Sequence, residues 1–286
     1  MIGQVALAVE SRREPATLRT RDDILGTDGC LKVELATTPE AVAAAQRLRY
    51  RIFYEEMGAT PTDEAIRHGR DIDRFDPWCD HLLVVDRARS GSPVVGTYRM
   101  LRRTVAERRG GFYSEGEYEL GPIRAFPGEI LEVGRSCVDA DYRSRAVIQH
   151  LWQGIAAYVW RHRIGLLFGC ASLPGTRPDQ MKPALAFLHH TYLAPDRLRP
   201  RALEHRHVPL DVLPAEAVDP AAAWRELPPL IRGYLRLGGR VGDGAVIDPQ
   251  FNTTDVCIVL ETEQVTQKYL RHYQQVGGRT AERVSV

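Results

Sequence analysis

Glu132, Arg135 and Ser136 interrupt an apolar run, ILEVGRSCV from Ile130 to Val138, that otherwise reads as a buried strand. A carboxylate there must be paired or border a cavity, because burying it alone is costly. It could accept a proton, and an arginine fork could hold a carboxylate. In a regular strand Glu132 and Ser136 share one face and Arg135 takes the other. A bulge at Gly134 would bring them together, and the pattern leaves both arrangements open. Upstream, Arg49, Phe53 and Glu56 follow at helical spacing, and Asp71, Asp73 and Asp76 crowd one loop. That loop lacks the glycine and closing glutamate of a calcium loop, so no metal is expected. His189-His190 and His205-x-His207 offer no ligand set either, and His81 reads as a satisfied strand histidine. Cys137 has no evident histidine partner, so it reads as a core or wall thiol.

These side chains need a scaffold. After Val138, Asp139-Ala140-Asp141 breaks the strand, and Val147, Leu151, Ile155 and Val159 then repeat at helical spacing. A polar strand end feeding a helix start exposes free N–H groups, which suits a thioester or a phosphate. Before this unit, residues 31–35 read as a strand. Thr38-Pro39-Glu40 starts a helix that Gly58 ends. Residues 60–79 read as a loop, and 81–86 and 94–101 as a hairpin. Residues 102–128 look irregular. Downstream, 166–171 and 255–260 read as strands, with helices over 178–190, 228–237 and 263–273. Residues 1–30 are expected as a loose tail, 31–275 as one domain with an excursion at about 195–225, and 276–286 as a second tail. Hairpins beside one strand–helix–strand unit indicate a mixed α/β sheet of α+β type.

Composition narrows the classes. The hydrophobic fraction is 44%, the charged fraction 26% and the net charge +1, as in a soluble protein with no charge signal for nucleic acid. The 5 cysteines form no CxxC, which points to free thiols in a reducing, cytoplasmic setting. The N-terminus is a poor signal peptide, and no stretch approaches a membrane span.

Eight segments carry a family likeness: LRYRIFYEEMGA (48–59), DIDRFDPWCDHLLVVD (71–86), VVGTYRML (94–101), FYSEGEYEL (112–120), LEVGRSCVDADYR (131–143), LFGCAS (167–172), PPLIRGYLRLG (228–238) and DPQFNTTD (248–255). In this order the chain resembles the L-ornithine Nα-acyltransferases that make lyso-ornithine lipid, within the GNAT acyltransferase superfamily. Several segments also resemble acyl-homoserine-lactone synthases: Arg49 and Phe53, the Asp71–Asp76 run, Arg99 after Val94-Val95-Gly96, and Glu132-x-x-Arg135. The two C-terminal segments fit the first family and not the second. A non-catalytic module that binds acyl carrier protein is the alternative outside enzymes. In CoA-dependent GNAT enzymes the diphosphate loop is glycine-rich, whereas Tyr142-Arg143-Ser144-Arg145-Ala146 here would crowd a diphosphate.

The resemblance implies a mostly antiparallel central sheet flanked by helices. It implies no bound cofactor, an acyl-phosphopantetheine donor on acyl carrier protein, L-ornithine as acceptor, and peripheral contact with the inner membrane as an open option. Amide formation from a thioester needs a deprotonated amine, a held acceptor, donors for the oxyanion and a leaving thiolate. Glu56 and Glu132 are the candidates for the base or for binding the acceptor ammonium. Arg49, Phe53, Asp73, Asp76, Arg99, Arg135 and Ser136 are expected around the acceptor. Arg99 and Arg135 either hold its α-carboxylate or pair internally with Asp73, Asp76 or Glu132. Cys137, Val138, Arg143, Ser144 and Arg145 are expected along the donor.

Overall fold

Strand alternation sorts the core onto two faces of one sheet. The computed structural model describes residues 24–143 and 145–264. It opens with β1 (Ile24–Asp28) and β2 (Leu31–Leu35), so the end of the expected tail is strand, while residues 1–23 lie outside the described residues. Next comes α1 (Pro39–Tyr50), where the Thr38 hydroxyl caps the Ala41 N–H at 3.2 Å. The α-helix stops short of Gly58, because Arg51–Glu56 is a π-helical turn. The expected loop contains α2 (Asp63–His68). Then follow β3 (Asp80–Asp86), β4 (Val94–Arg102), α3 (Arg103–Arg109), β5 (Tyr118–Glu119) and α4 (Gly121–Arg124). The central unit is β6 (Glu129–Val138), α5 (Arg145–His162) and β7 (Ile164–Pro174). It is followed by α6 (Lys182–Tyr192), β8 (Arg201–Ala202), β9 (His207–Val208), α7 (Pro220–Glu226), α8 (Pro229–Arg236), β10 (Arg240–Asp248) and β11 (Thr253–Glu261).

The strands form one sheet in the order β1-β2-β3-β4-β6-β7-β11-β10-β8-β5, with β9 on β10. The long strands pair antiparallel except β6–β7 at the centre, which is parallel, and short β8 also runs parallel to β10. On β3, Leu82 and Val84 join a core that takes Val147, Leu151, Ile155 and Tyr158 from α5. Leu83 and Val85 point the other way, onto Ala45 of α1. Helices thus cover both faces, which explains why β3 is buried along nearly its whole length. β10 is a strand that alternation did not announce. Gly242, Asp243 and Gly244 break its pattern, and a register shift between Val241 and Ala245 absorbs them. The expected excursion supplies β8 and β9 to the same sheet edge. The helix expected at 263–273 and the tail at 276–286 fall outside the described residues beyond Gln264.

Candidate active site

β6 and β7 pair only from Glu129–Ile164 to Glu132–Phe168. Beyond that point β6 stays on β4 and β7 stays on β11, so the two strands splay apart. Gly169 sits where they part: a Cβ there would lie 2.1 Å from the Val133 carbonyl oxygen, so only glycine permits this approach. The splay opens a cavity of about 770 Å³ through the sheet. Leu151, Trp152, Leu167, Tyr234 and Ile258 line its α5 side and belong to the apolar core there. Arg99, Glu132, Arg135, Ser172 and Asp255 line the other side. An apolar chamber therefore meets a charged one across a gap whose strand edges lack β-partners, where an extended polar chain could dock.

Behind the charged chamber stands a buried ion network. Arg49, 0% exposed, donates through Nε to Asp71 at 2.7 Å and through Nη2 to Asp76 at 2.9 Å. Arg99 donates to Asp73 at 2.6 Å and Asp76 at 3.1 Å. The Tyr54 hydroxyl donates to Asp71 at 2.9 Å, and Gln46 Nε2 to Asp76 at 2.9 Å. His81 places Nε2 3.0 Å from the Asp76 carbonyl oxygen and is indeed a satisfied strand histidine. Burial alone would raise the Asp73 carboxyl, but Arg99 and Arg135 outweigh it and hold it at about 2. Asp71 is likewise held below its ordinary value, with Arg135 and Arg49 outweighing burial.

Arg49, Asp73 and Asp76 were expected at the acceptor but do not line the cavity. The physical reason is pairing: buried Asp71 and Asp76 need a cation, which Arg49 of α1 supplies, and Asp73 is taken by Arg99, while Phe53 and Glu56 of the following π-helical turn reach the cavity wall. The internal pairing left open for Arg99 and Arg135 is realised, yet both still line the chamber. The network sets the wall's shape and charge.

Glu132 and Arg135 do reach the same side. A register shift in the β4–β6 pairing leaves Arg135 and Ser136 unmatched opposite Tyr98. The residue in the left-handed region is Arg135, at φ 50°, and not Gly134. Its guanidinium lies 3.3 Å from both Asp71 and Asp73, sandwiched between the Tyr113 and Phe251 rings at 4.8 and 4.6 Å. The Glu132 carboxylate accepts the Tyr113 N–H at 2.8 Å and the Ser114 N–H at 2.7 Å. Burial pushes its carboxyl up, against those hydrogen bonds and Arg99. A buried carboxylate with a raised pKa on a cavity wall suits proton transfer.

Glu56 occupies the exposed mouth instead, ion-paired with Arg143. Phe53 lines the cavity and packs edge-on to Phe251 at 5.8 Å. Ser136 and Val138 are on its wall. Cys137 is a wall thiol packed near Leu48 and Ile52, and burial pushes it up to about 12. Ser144 lies outside the described residues, and Arg145 opens α5 with its side chain likewise outside them.

Asp248 and Asp255 on the wall of the charged chamber, and Glu117 close to them, were not anticipated as site residues. Glu117, Asp248 and Asp255 bring carboxylate oxygens within 4.8 Å of one another. Asp248 Oδ1 caps the turn after β10, accepting from Gln250 and Phe251 at 2.8 and 3.0 Å. Burial and then Asp255 push Glu117 up to about 7, and burial raises Asp255 against the Ser172 and Thr253 hydroxyls. FYSEGEYEL and DPQFNTTD each contain part of the trio, but they lie more than a hundred residues apart in sequence, so spacing held no signal.

The Glu117 carboxyl is near 7 when folded against 4.5 as its ordinary value, so its protonated form favours folding. That contribution is complete below 4.5 and is lost as pH rises through 7. Glu117→Gln should therefore exceed wild type in stability by about 3 kcal/mol near pH 8–9, with the gap closing below about pH 5. Thermal unfolding of both proteins across pH checks this, and parallel curves would refute it.

Residues 48–153 match the family model described as an acetyltransferase (GNAT) domain. The chain is 46% identical over 268 residues to an L-ornithine N(alpha)-acyltransferase from Rhizobium meliloti (strain 1021), covering 92% of this chain and 90% of the relative. It is 48% identical over 256 residues to the protein of that description from Brucella abortus (strain 2308), covering 87% and 91%. Among solved structures, an N-acyl amino acid synthase from uncultured soil microbes aligns with TM-score 0.48 at 13% identity, over 82% of this chain and 92% of that one.

Proposed function

The chain belongs to the L-ornithine N(alpha)-acyltransferases, and from that premise we propose that it transfers a 3-hydroxyacyl chain from acyl carrier protein to the α-amine of L-ornithine, releasing lyso-ornithine lipid. The observation that carries this reading is the two-sided cavity, apolar toward α5 and charged toward Glu132 and Arg135. The acyl chain would lie among Leu151, Trp152 and Tyr234, and the acceptor against Arg99 and Arg135, whose forks suit an α-carboxylate. Glu132 takes the proton that the ammonium must lose. The free amine attacks the thioester carbonyl, and a tetrahedral oxyanion forms and collapses. The C–S bond breaks, the attacking nitrogen gives up its extra proton as the amide forms, and a proton is taken up by the thiolate that leaves on the phosphopantetheine arm. Backbone N–H groups at the splayed edges are suited to the arm's amides and the oxyanion.

Arg143 stands exposed at the mouth beside Glu56, which suits an acidic carrier protein. Met57 and Ile148, 49% and 39% exposed, line the same mouth and would suit peripheral contact with the membrane that receives the product. Among the described residues no helix is long and apolar enough to cross a membrane.

Purified protein should convert ornithine and a 3-hydroxyacyl carrier protein to the Nα-amide, detected by mass spectrometry. Carrier-bound donor should be preferred to the matching acyl-CoA, with an advantage that shrinks with salt because steering is screened beyond roughly 8 Å at physiological ionic strength. Arg143→Glu should raise KM for the carrier-bound donor and spare a short pantetheine thioester. A lactone formed from S-adenosylmethionine would overturn the reading.

A further inference from the structure

The acidic trio is over-supplied with negative charge. Among the described residues, Glu117, Asp248 and Asp255 form no ion pair. Arg206, the nearby cation, gives its N–H groups to the Gly116 and Ile247 carbonyl oxygens at 2.8 and 3.2 Å. Buried carboxylates in this state call for a positive ligand. Beside the trio, the Thr253 hydroxyl, which faces Asp255, is 4% exposed, sits on the wall of the same cavity, and has no hydrogen-bond partner of good geometry. Asp255 Oδ1 and Glu117 Oε2 also lack one. Thr253 and Asp255 therefore present unfilled oxygens on the wall of the charged chamber, where Asp248 also lies, and Glu117 brings a carboxylate oxygen within 4.8 Å of both aspartates.

An alkylammonium carries one positive charge and three N–H donors, which matches three acceptors around a small space. We propose that Glu117, Asp255 and Thr253, with Asp248 beside them, form the seat of the acceptor's side-chain ammonium: the δ-ammonium of ornithine, held away from the α-amine that reacts. This seat rests on the reading of the chain as an ornithine acyltransferase. It adds what chooses a diamino acid over a neutral one. Arg135 also lies near enough to Asp255 to act on its carboxyl. The chamber thus offers a fork for the α-carboxylate and an acidic pole for the far end of one amino acid.

The test uses the full chain with a carrier-bound acyl donor and three acceptors: L-ornithine, L-lysine and L-norvaline, the last matching ornithine's carbon chain without the terminal amine. Wild type should strongly prefer ornithine to norvaline. Asp255→Asn and Glu117→Gln should raise KM for ornithine at least about thirtyfold, as expected for removing one partner of a buried charge pair, and leave the norvaline parameters near wild type. Thr253→Val tests the same seat should either acid variant fail to fold. Independently of turnover, ornithine but not norvaline should raise the wild-type Tm above pH 7, and this shift should vanish in Asp255→Asn. Equal losses on both acceptors would overturn the seat, as would wild-type indifference between ornithine and norvaline. Binding of Mg²⁺, Ca²⁺ or Mn²⁺ that is lost in the same variants, with activity abolished by chelation, would overturn it in favour of a metal. Acylation of lysine but not ornithine would sink the ornithine reading and keep the ammonium seat. Normal ornithine kinetics in the variants would do the reverse.

Discussion

Arg49→Ala is expected to destabilise the fold by about 3–5 kcal/mol, the scale seen when one partner of a buried ion pair is removed. In a domain of this size that is a fall in Tm of roughly 10 °C. The cause is what remains behind: Asp71 and Asp76 are 2% and 4% exposed and would keep only neutral donors and more distant arginines. Arg49 is one of the groups that hold the Asp71 carboxyl low, so in its absence protonating Asp71 is the cheaper response and the variant should regain part of its stability at acidic pH. Replacing Arg49 by methionine together with Asp71→Asn should recover part of the loss, because the Asp71 charge goes with its partner and Asp76 keeps Arg99. Urea and thermal unfolding measure these differences. An Arg49→Ala protein within about 1 kcal/mol of wild type would show that the network is not what holds α1 and the aspartate loop together.

Glu132→Gln should lower kcat by about 10²–10⁴-fold, the usual range for losing a positioned general base. Wild-type rate should climb with pH through the raised pKa of Glu132, since only the carboxylate can take a proton. The variant should lack that limb and regain rate at higher pH only through the free amine in solution. Structure supplies the control. Both Glu132 oxygens accept backbone N–H groups, whereas a glutamine amide offers one oxygen, so either the Tyr113 or the Ser114 N–H loses its partner. That loss costs about 1–3 kcal/mol and should appear as a lower Tm in the same preparations. A drop in Tm with kcat unchanged would make Glu132 a fastener for the 113–114 turn and not the base.

Much of the scaffold was legible because it follows local rules. Thr38-Pro39 started α1, alternation placed β3 and β4, and the 3.6-residue stripe of Val147, Leu151 and Ile155 placed α5 on the sheet. Polar residues inside an apolar strand marked Glu132 and Arg135, since burial without a purpose is penalised. β10 was missed because a Gly-Asp-Gly interruption hides a strand whose bulge is resolved only by its partner. The three acids at 117, 248 and 255 were missed for a related reason: no local pattern links residues that only a sheet edge brings together.

By itself the sequence determined the periodicities, the helix start, the stray polar residues of β6 and the order of segments that places the chain in its family. Those features depend on neighbours within a few residues or on side-chain type alone. Tertiary structure decided which arginine lines the cavity and which is locked away, because the partners of Arg49 come from the aspartate loop and a strand bulge turns Arg135 in a way that spacing cannot encode. It also decided the site's electrostatics. Whether a carboxylate is held near 2, as Asp73 is, or pushed to about 7, as Glu117 is, depends on how many arginines and how much water the folded chain leaves beside it.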